Sequence, residues 1–253
     1  MINPMDLTAR RVLITGASSG IGRATALLLS RLGAQLILVG RSRDGLNEVL
    51  QTLEGCGHCA ELFDLCDLDA IQNQVNRMAS NAGPLAGLVH SAGVQVTKPL
   101  RYLSLADQKT MMDLNYVAAL ALVKAFRHKS VHANPASVVL VSSVMGLVGQ
   151  KGQTAYAASK GALLSATRAM SLELAEEGIR INCVCPGVVE DTAMTQRART
   201  LLTTEQIEVM RAQHPLGTGN AMDVAYSIAY LLGDAARWIT GTALTVDGGY
   251  SAQ

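Results

Sequence analysis

The sequence predicts an α/β fold: a doubly wound, mainly parallel sheet of seven strands flanked by helices on both faces. Three observations predict it. Short runs of aliphatic residues alternate with longer stretches of helical period along the whole chain. Those short runs are apolar at nearly every position, as strands covered on both faces are. Composition agrees: of 253 residues, 49% are hydrophobic and only 4% aromatic, so the core is aliphatic.

Taken in order, Arg11–Thr15 is the first strand, and a glycine-rich turn follows it. The next helix, 21–32, carries Ala24, Leu27, Leu28 and Leu32 on one face and stops at Gly33. Residues 35–39 form the second strand. Further strands are predicted near 60–64, 85–90, 137–142, 179–184 and 243–246. Further helices are predicted near 44–53, 67–79, 105–128, 155–177 and 221–232. Strand–helix alternation of this kind implies right-handed crossovers. No linker, low-complexity tract or short repeat interrupts it, so one domain, 1–253, is expected.

Composition also excludes functions. A net charge of +1 argues against nucleic-acid or acidic-surface binding. No uncharged apolar run approaches the ~20 residues of a membrane span. Residues 1–11 lack the apolar core of a signal peptide, and a cytoplasmic protein is expected. Cys56-Gly-His-Cys59 has dithiol spacing but sits in an expected loop, with only His58 and Cys66 as nearby extra metal ligands. Free thiols are the expectation there, and no metal is predicted. Cys183 and Cys185 read as buried, inert thiols in a strand.

The chemistry begins at Thr15-Gly-Ala-Ser-Ser-Gly-Ile-Gly22, between the first strand and first helix. Gly16 permits a tight turn, Gly20 lets the backbone approach a pyrophosphate, and Gly22 allows close packing of helix on strand. The helix N-terminus offers free N–H groups to phosphates. Gly16, Ser18, Ser19, Gly20, Ile21 and Gly22 are therefore candidate cofactor contacts. The second strand ends at Gly40, where an acidic residue would select NAD. Arg41-Ser-Arg43 follows instead. Arginine pairs with a 2′-phosphate that a carboxylate would repel, so NADP(H) is expected. Arg41 is its main ligand, with Ser18 or Arg43 assisting.

Tyr156-Ala-Ala-Ser-Lys160 places a phenol and an ammonium one helical turn apart on one face. Phenol has a reference pKa of roughly 10, and a neighbouring cation is expected to lower it. The pair is a candidate general acid/base.

With these motifs the chain resembles the short-chain dehydrogenase/reductase family nearly end to end. The resemblance also rests on His90-Ser-Ala-Gly93, Asn115, Ser143, Pro186-Gly187 and Ile239-Thr-Gly-Thr-Ala-Leu-Thr-Val-Asp-Gly-Gly249. It implies a Rossmann-like three-layer sandwich, usually a homotetramer, with the helices at 105–128 and 155–177 and the last strand as interfaces. It implies a tetrad. Tyr156 protonates a carbonyl as hydride arrives. Lys160 lowers the Tyr156 pKa and holds the nicotinamide ribose. Ser143 stabilises the substrate oxygen, and Asn115 holds a water relaying protons to Lys160. It adds Asp64 beside adenine, and Leu65, Ser91, Ala92, Gly93, Pro186, Gly187 and Val189 along the cofactor.

Within the family the pattern is most similar to 3-oxoacyl-[acyl-carrier-protein] reductases, through His214-Pro-Leu-Gly217 and Val246-Asp-Gly-Gly249. The implied reaction is NADPH-dependent reduction of a 3-oxoacyl thioester or related ketone to a secondary alcohol. The alternatives are oxidation of a sugar, steroid or other secondary alcohol, and non-catalytic nucleotide binding. This chain departs from the pattern at four places. His90-Ser91 replaces an Asn-Asn pair. Thr192 lies one place late after Pro186-Gly187, so the Val189 backbone replaces it as the nicotinamide contact. Thr218 stands where an arginine often does. The two arginines that would dock an acyl carrier protein align with Asn134 and Glu177, and Glu173, Glu176 and Glu177 would repel that carrier. Arg127, Lys129 and Arg168 could compensate. Met194, Leu201, Leu202, Ile207, Val209 and Met210 fit either an amphipathic lid or helices packed on the domain. Arg197, Arg199 and Arg211 could meet an anionic substrate or stay solvated.

Overall fold

In the computed structural model, which describes residues 3–200 and 202–252, β1 (Arg11–Thr15) starts a seven-stranded parallel sheet. The others are β2 (Gln35–Gly40), β3 (Cys59–Leu62), β4 (Leu85–His90), β5 (His132–Val141), β6 (Ile179–Pro186) and β7 (Ala243–Val246). Their spatial order is β3-β2-β1-β4-β5-β6-β7. Winding therefore reverses between β1 and β4, which opens a crevice at their carboxyl ends.

Alternation along each strand feeds two separate cores. Val12, Ile14, Leu36, Leu38, Val139, Val141 and Val184 face one layer. Leu13, Ile37, Val39, Val138, Leu140, Ile181 and Cys183 face the other. The first layer comprises α1 (Gly20–Arg31), α2 (Arg43–Thr52) and α9 (Ala221–Leu232). The second holds α3 (Ile71–Ala82), α5 (Ala118–Phe126) and α6 (Thr154–Ala175). Phe126, at 1% exposure the largest fully buried side chain, anchors the second layer. Truncating such a residue costs about 3–5 kcal/mol.

The long helix predicted at 105–128 is broken. α4 (Leu105–Met112) runs into one wide π-type turn, Asp113–Val117, before α5. A π turn inserts one extra residue and re-aims the side chains inside it; Leu114 and Asn115 are the two it buries. β3 begins at Cys59, so only Cys56 to His58 of the dithiol run lie in the loop. β5 begins at His132, five residues before its predicted start. Two helices were not individually predicted: α7 (Ala193–Arg199) and α8 (Thr204–Ala212). Leu201 lies outside the described residues. Among the described residues no helix is long and apolar enough to cross a membrane.

Candidate active site

The crevice between β1 and β4 brings the two sets of candidates together. Gly16 has φ of 67° and Gly20 of 51°, a region that L side chains rarely enter. A Cβ on Gly16 would lie 2.8 Å from the Ala92 nitrogen, and one on Gly22 would lie 2.2 Å from the Gly16 carbonyl oxygen. The turn is thus pressed against Ser91 and Ala92 at the exit of β4. Ser19 is the N-cap of α1, yet its side chain makes no capping bond. The first amides of α1 keep their positive end for a ligand. Ser18 borders Gly40 and Gly45, so it joins this turn to the β2–α2 corner. Arg41 and Arg43 are exposed at that corner. Asp64 is exposed at the exit of β3, with one carboxylate oxygen accepting from the Cys66 amide at 3.0 Å, and Leu65 beside it is buried. This cradle of glycines, uncapped amides and arginines fits a dinucleotide phosphate.

Tyr156, Ser143 and Lys160 are 7%, 8% and 4% exposed. Ser143 follows β5, while Tyr156 and Lys160 come from the first turns of α6. The tyrosine ring packs among Met111, Val144, Met145 and Ala155, with Val94, Val148 and Tyr250 at the edge. Lys160 Nζ donates to the Val141 carbonyl at 2.8 Å and stands 5.8 Å from the Tyr156 ring centroid. Gly93 separates Lys160 from Asn115. A Cβ there would lie 3.1 Å from Asn115 Oδ1 and 3.5 Å from Lys160 Nζ.

Two expectations change. Burial pushes the Tyr156 phenol up to about 12, and a hydrogen bond with Ser143 opposes this only in part. Lys160 does not offset this burial: its own pKa is pulled down to about 8, so it stays largely charged at neutral pH, yet the phenol is still held above its ordinary value. The expectation of a lowered phenol pKa treated both groups as solvated, and both are buried. Asn115 is also busier than predicted. Its Nδ2 donates to the Val94 carbonyl at 2.9 Å and Ser159 Oγ at 3.0 Å, and Oδ1 accepts from the Val94 amide at 2.8 Å. The side chain fastens the loop after β4 to α6, and only a second lone pair on Oδ1 is left for a water.

His90 is fully buried at the end of β4, with Nδ1 2.9 Å from Thr15 Oγ1. Burial, reinforced by Lys160, pulls its pKa down to about 3. The Leu114 backbone opposes this weakly, and Nε2 lacks a well-formed hydrogen bond. The ring is therefore neutral at physiological pH.

Pro186 at the end of β6 and Val189 beyond it are buried, and Gly187 packs on Asp247. The Val188 amide donates to His214 Nε2 at 3.3 Å, which leaves Nδ1 as the donor to the Met210 carbonyl at 2.9 Å. The His214 ring stacks on Tyr250 at 4.9 Å. Val189 bridges to Gly219. Thr192 caps α7, and its methyl would lie 3.2 Å from a Cβ on Gly20. It is thus placed over the glycine turn.

Three residues escaped the sequence reading. Gln153, one turn before Tyr156, is 5% exposed; its Nε2 donates to Thr97 Oγ1 at 3.0 Å while its buried Oε1 has no partner. Glu190 gathers two arginines. Tyr250 packs both on His214 and on the cluster around Tyr156. None has a spacing signal, since each acts through partners distant in sequence. His58, singled out with the cysteines, uses its ring on the Leu36 amide and the Glu54 carbonyl.

Residues 16–251 match a family profile described as enoyl-(acyl carrier protein) reductase. The chain is 35% identical over 248 residues to cis-4-hydroxycyclohexanecarboxylate dehydrogenase of Sinomonas cyclohexanicum, covering 96% of this chain and 97% of that one. It is 34% identical to the 3-oxoacyl-[acyl-carrier-protein] reductase FabG of Rickettsia prowazekii over 97% and 98% of the two chains. The chain belongs to the short-chain dehydrogenase/reductase family. Solved family members superpose closely. A dehydrogenase/reductase from Sinorhizobium meliloti 1021 has a TM-score of 0.87 at 29% identity, over 98% of this chain and 97% of that one. A protein assigned as an NAD(P)-dependent gluconate 5-dehydrogenase from Beutenbergia cavernae, solved with NADP at low occupancy, has a TM-score of 0.89 at 30% identity, over 99% and 100% of the chains. This short-chain dehydrogenase/reductase is therefore a nicotinamide-dependent oxidoreductase that interconverts a secondary alcohol and a ketone.

Proposed function

We propose that this chain is an NADP(H)-dependent carbonyl reductase acting on an apolar ketone or 3-oxoacyl thioester, with Tyr156 as general acid. The observation that carries the proposal is the joint burial of Tyr156, Ser143 and Lys160 beside the glycine turn. When bound, the dinucleotide supplies the hydride. Gly16, Gly20, Gly22 and the first amides of α1 hold its pyrophosphate. Arg41, with Arg43 and Ser18, holds the 2′-phosphate. Asp64 and Leu65 flank adenine, and Ser91, Ala92, Gly93, Pro186, Gly187 and Val189 line the remainder.

Tyr156 stays protonated at neutral pH because burial holds its pKa near 12. It thus gives its proton to the carbonyl oxygen only as charge develops there. Ser143 donates a hydrogen bond to the same oxygen and holds it in line. Lys160 orients the nicotinamide ribose and, when charged, favours the phenolate left behind. Asn115 keeps the Gly93 corner open for the ribose by bracing the Val94 backbone. The apolar wall of Met111, Val144, Met145 and Tyr250 excludes water.

The same wall favours an apolar substrate body. The orphaned Gln153 oxygen is an acceptor for a hydroxyl or amide N–H on that substrate. The Arg127–Glu177 ion pair neutralises both partners, and Glu173 and Glu176 remain at the end of α6 to disfavour carrier docking. A homotetramer is proposed from exposed apolar side chains: Leu105 on α4, Leu172 on α6 and Trp238 after α9 are 82%, 77% and 91% exposed. The test is NADPH oxidation with one 3-oxoacyl chain given as carrier-protein thioester, as coenzyme A thioester and as a simple ketone. Reduction of the simple ketone or coenzyme A form at least as well as the carrier form is expected. Tighter binding of NADH than NADPH would sink the cofactor assignment.

A further inference from the structure

Resting on the site proposed above, the geometry points to Glu190 as a positioning residue: a latch that couples the lid helices α7 and α8 to the backbone segment holding the nicotinamide. Neither α7 nor α8 has a buried residue, so apolar packing does not fix them. Polar ties do: besides the Thr192 cap of α7 and the His214 bond to the Met210 carbonyl of α8, three side chains meet on one carboxylate. Arg199, the last residue of α7, is ion-paired to Glu190 Oε2, with its side chain 23% exposed. Arg211 of α8 donates from Nε to Glu190 Oε1 at 3.3 Å. Thr218 donates to the same oxygen at 2.7 Å.

Glu190 is in turn held rigidly. Its amide donates to the Gly219 carbonyl at 2.9 Å, and the Gly219 amide donates to the Val188 carbonyl at 3.0 Å. Asp191 next to it accepts from the Ala221 amide at the start of α9 at 2.8 Å. The segment 188–192 thus joins His214 and Tyr250 on the Tyr156 side to Gly20 on the phosphate side. Burial raises the Glu190 pKa, but bonds from Thr218, Arg211 and Arg199 outweigh it, so the carboxylate is charged at neutral pH. One carboxylate facing two guanidiniums leaves a net positive charge at the lid.

The test is limited trypsin digestion, because Arg197, Arg199 and Arg211 put cleavage sites inside the lid. Wild-type, Glu190→Gln and Glu190→Asp proteins are digested with and without NADPH, and NADPH affinity is followed by nicotinamide fluorescence. Losing the latch is expected to speed cleavage within 193–213 about tenfold, since local opening then costs less. NADPH affinity is expected to fall about fivefold, and Glu190→Asp should lie between. Cleavage outside the lid and thermal melting should stay close to wild type. Unchanged lid cleavage, or equal acceleration at every site, would overturn the latch. If Glu190→Gln does not fold, Thr218→Val, which removes one tie to Glu190 and leaves every tryptic site in place, is judged by the same two criteria. Failure of the wild-type protein to bind NADPH would instead refute the cofactor assignment, while the cleavage comparison would still read the latch.

Discussion

Tyr156 and His90 show how strongly burial decides the state of a single side chain. For Tyr156→Phe the hydroxyl is removed but the ring, its apolar neighbours and the dinucleotide cradle remain. Turnover should fall by about 10²–10⁴-fold, the usual worth of a positioned general acid. NADPH affinity by fluorescence should change less than about threefold, or roughly 0.7 kcal/mol. His90 bears on stability. Its folded pKa of about 3 lies below the ordinary 6.5. Its contribution is fully present above pH 6.5 and is lost as pH falls toward 3, because the unfolded chain takes the proton first. The loss is on the order of 5 kcal/mol. His90→Asn, which restores the family's residue, should therefore move the acid-unfolding midpoint to lower pH, measured by circular dichroism. An unchanged midpoint would mean that other groups control acid unfolding. Lys160 works in the opposite pH range. Its folded pKa of about 8 against 10.5 means that burial penalises the charged form. The penalty is present below pH 8 and relieved between 8 and 10.5, so cofactor-free protein should gain stability over that window, by about 3 kcal/mol.

At the scale of elements, the β1–α1 turn and the π turn between α4 and α5 do the positioning. The turn works only without side chains. Gly16→Ala would force a Cβ to 2.8 Å from the Ala92 backbone at a φ of 67°. NADPH binding should be lost, and stability should fall by about 1–3 kcal/mol. Calorimetric titration and thermal melting measure the two effects separately. The turn was legible in the sequence because three glycines between an aliphatic strand and an amphipathic helix have few other uses. The π turn was not. Residues 105–128 read as one unbroken helix, and the wider turn follows from Asn115 bonding to Val94 and Ser159, partners 21 and 44 residues away. α7 and α8 were seen only as apolar residues at helical spacing. Neither helix buries a residue in the core, and polar ties to Glu190, Thr192 and His214 hold them instead.

For the whole molecule, the cofactor should act as the keystone between the layers. Saturating NADPH at about a hundred times its dissociation constant should add roughly 2.7 kcal/mol of stability. Arg41→Asp should cut that gain for NADPH while sparing or improving it for NADH, as read by melting with each nucleotide. The oligomer is the other test at this scale. Light scattering is expected to give four copies, and Leu172→Glu should reduce the assembly without affecting monomer folding, because that side chain is 77% exposed.

The alternating pattern of strands and helices, the glycine turn, the Arg41 corner and the Tyr156–Lys160 pair could all be read from the sequence, because each is a local pattern with a short period or a tight backbone demand. Strand order, the proton affinities of Tyr156, Lys160 and His90, the duties of Asn115 and the gathering of Arg199, Arg211 and Thr218 on Glu190 were decided only by tertiary structure. Those properties depend on which groups lose water and which distant partners replace it, and spacing along the chain carries no record of either.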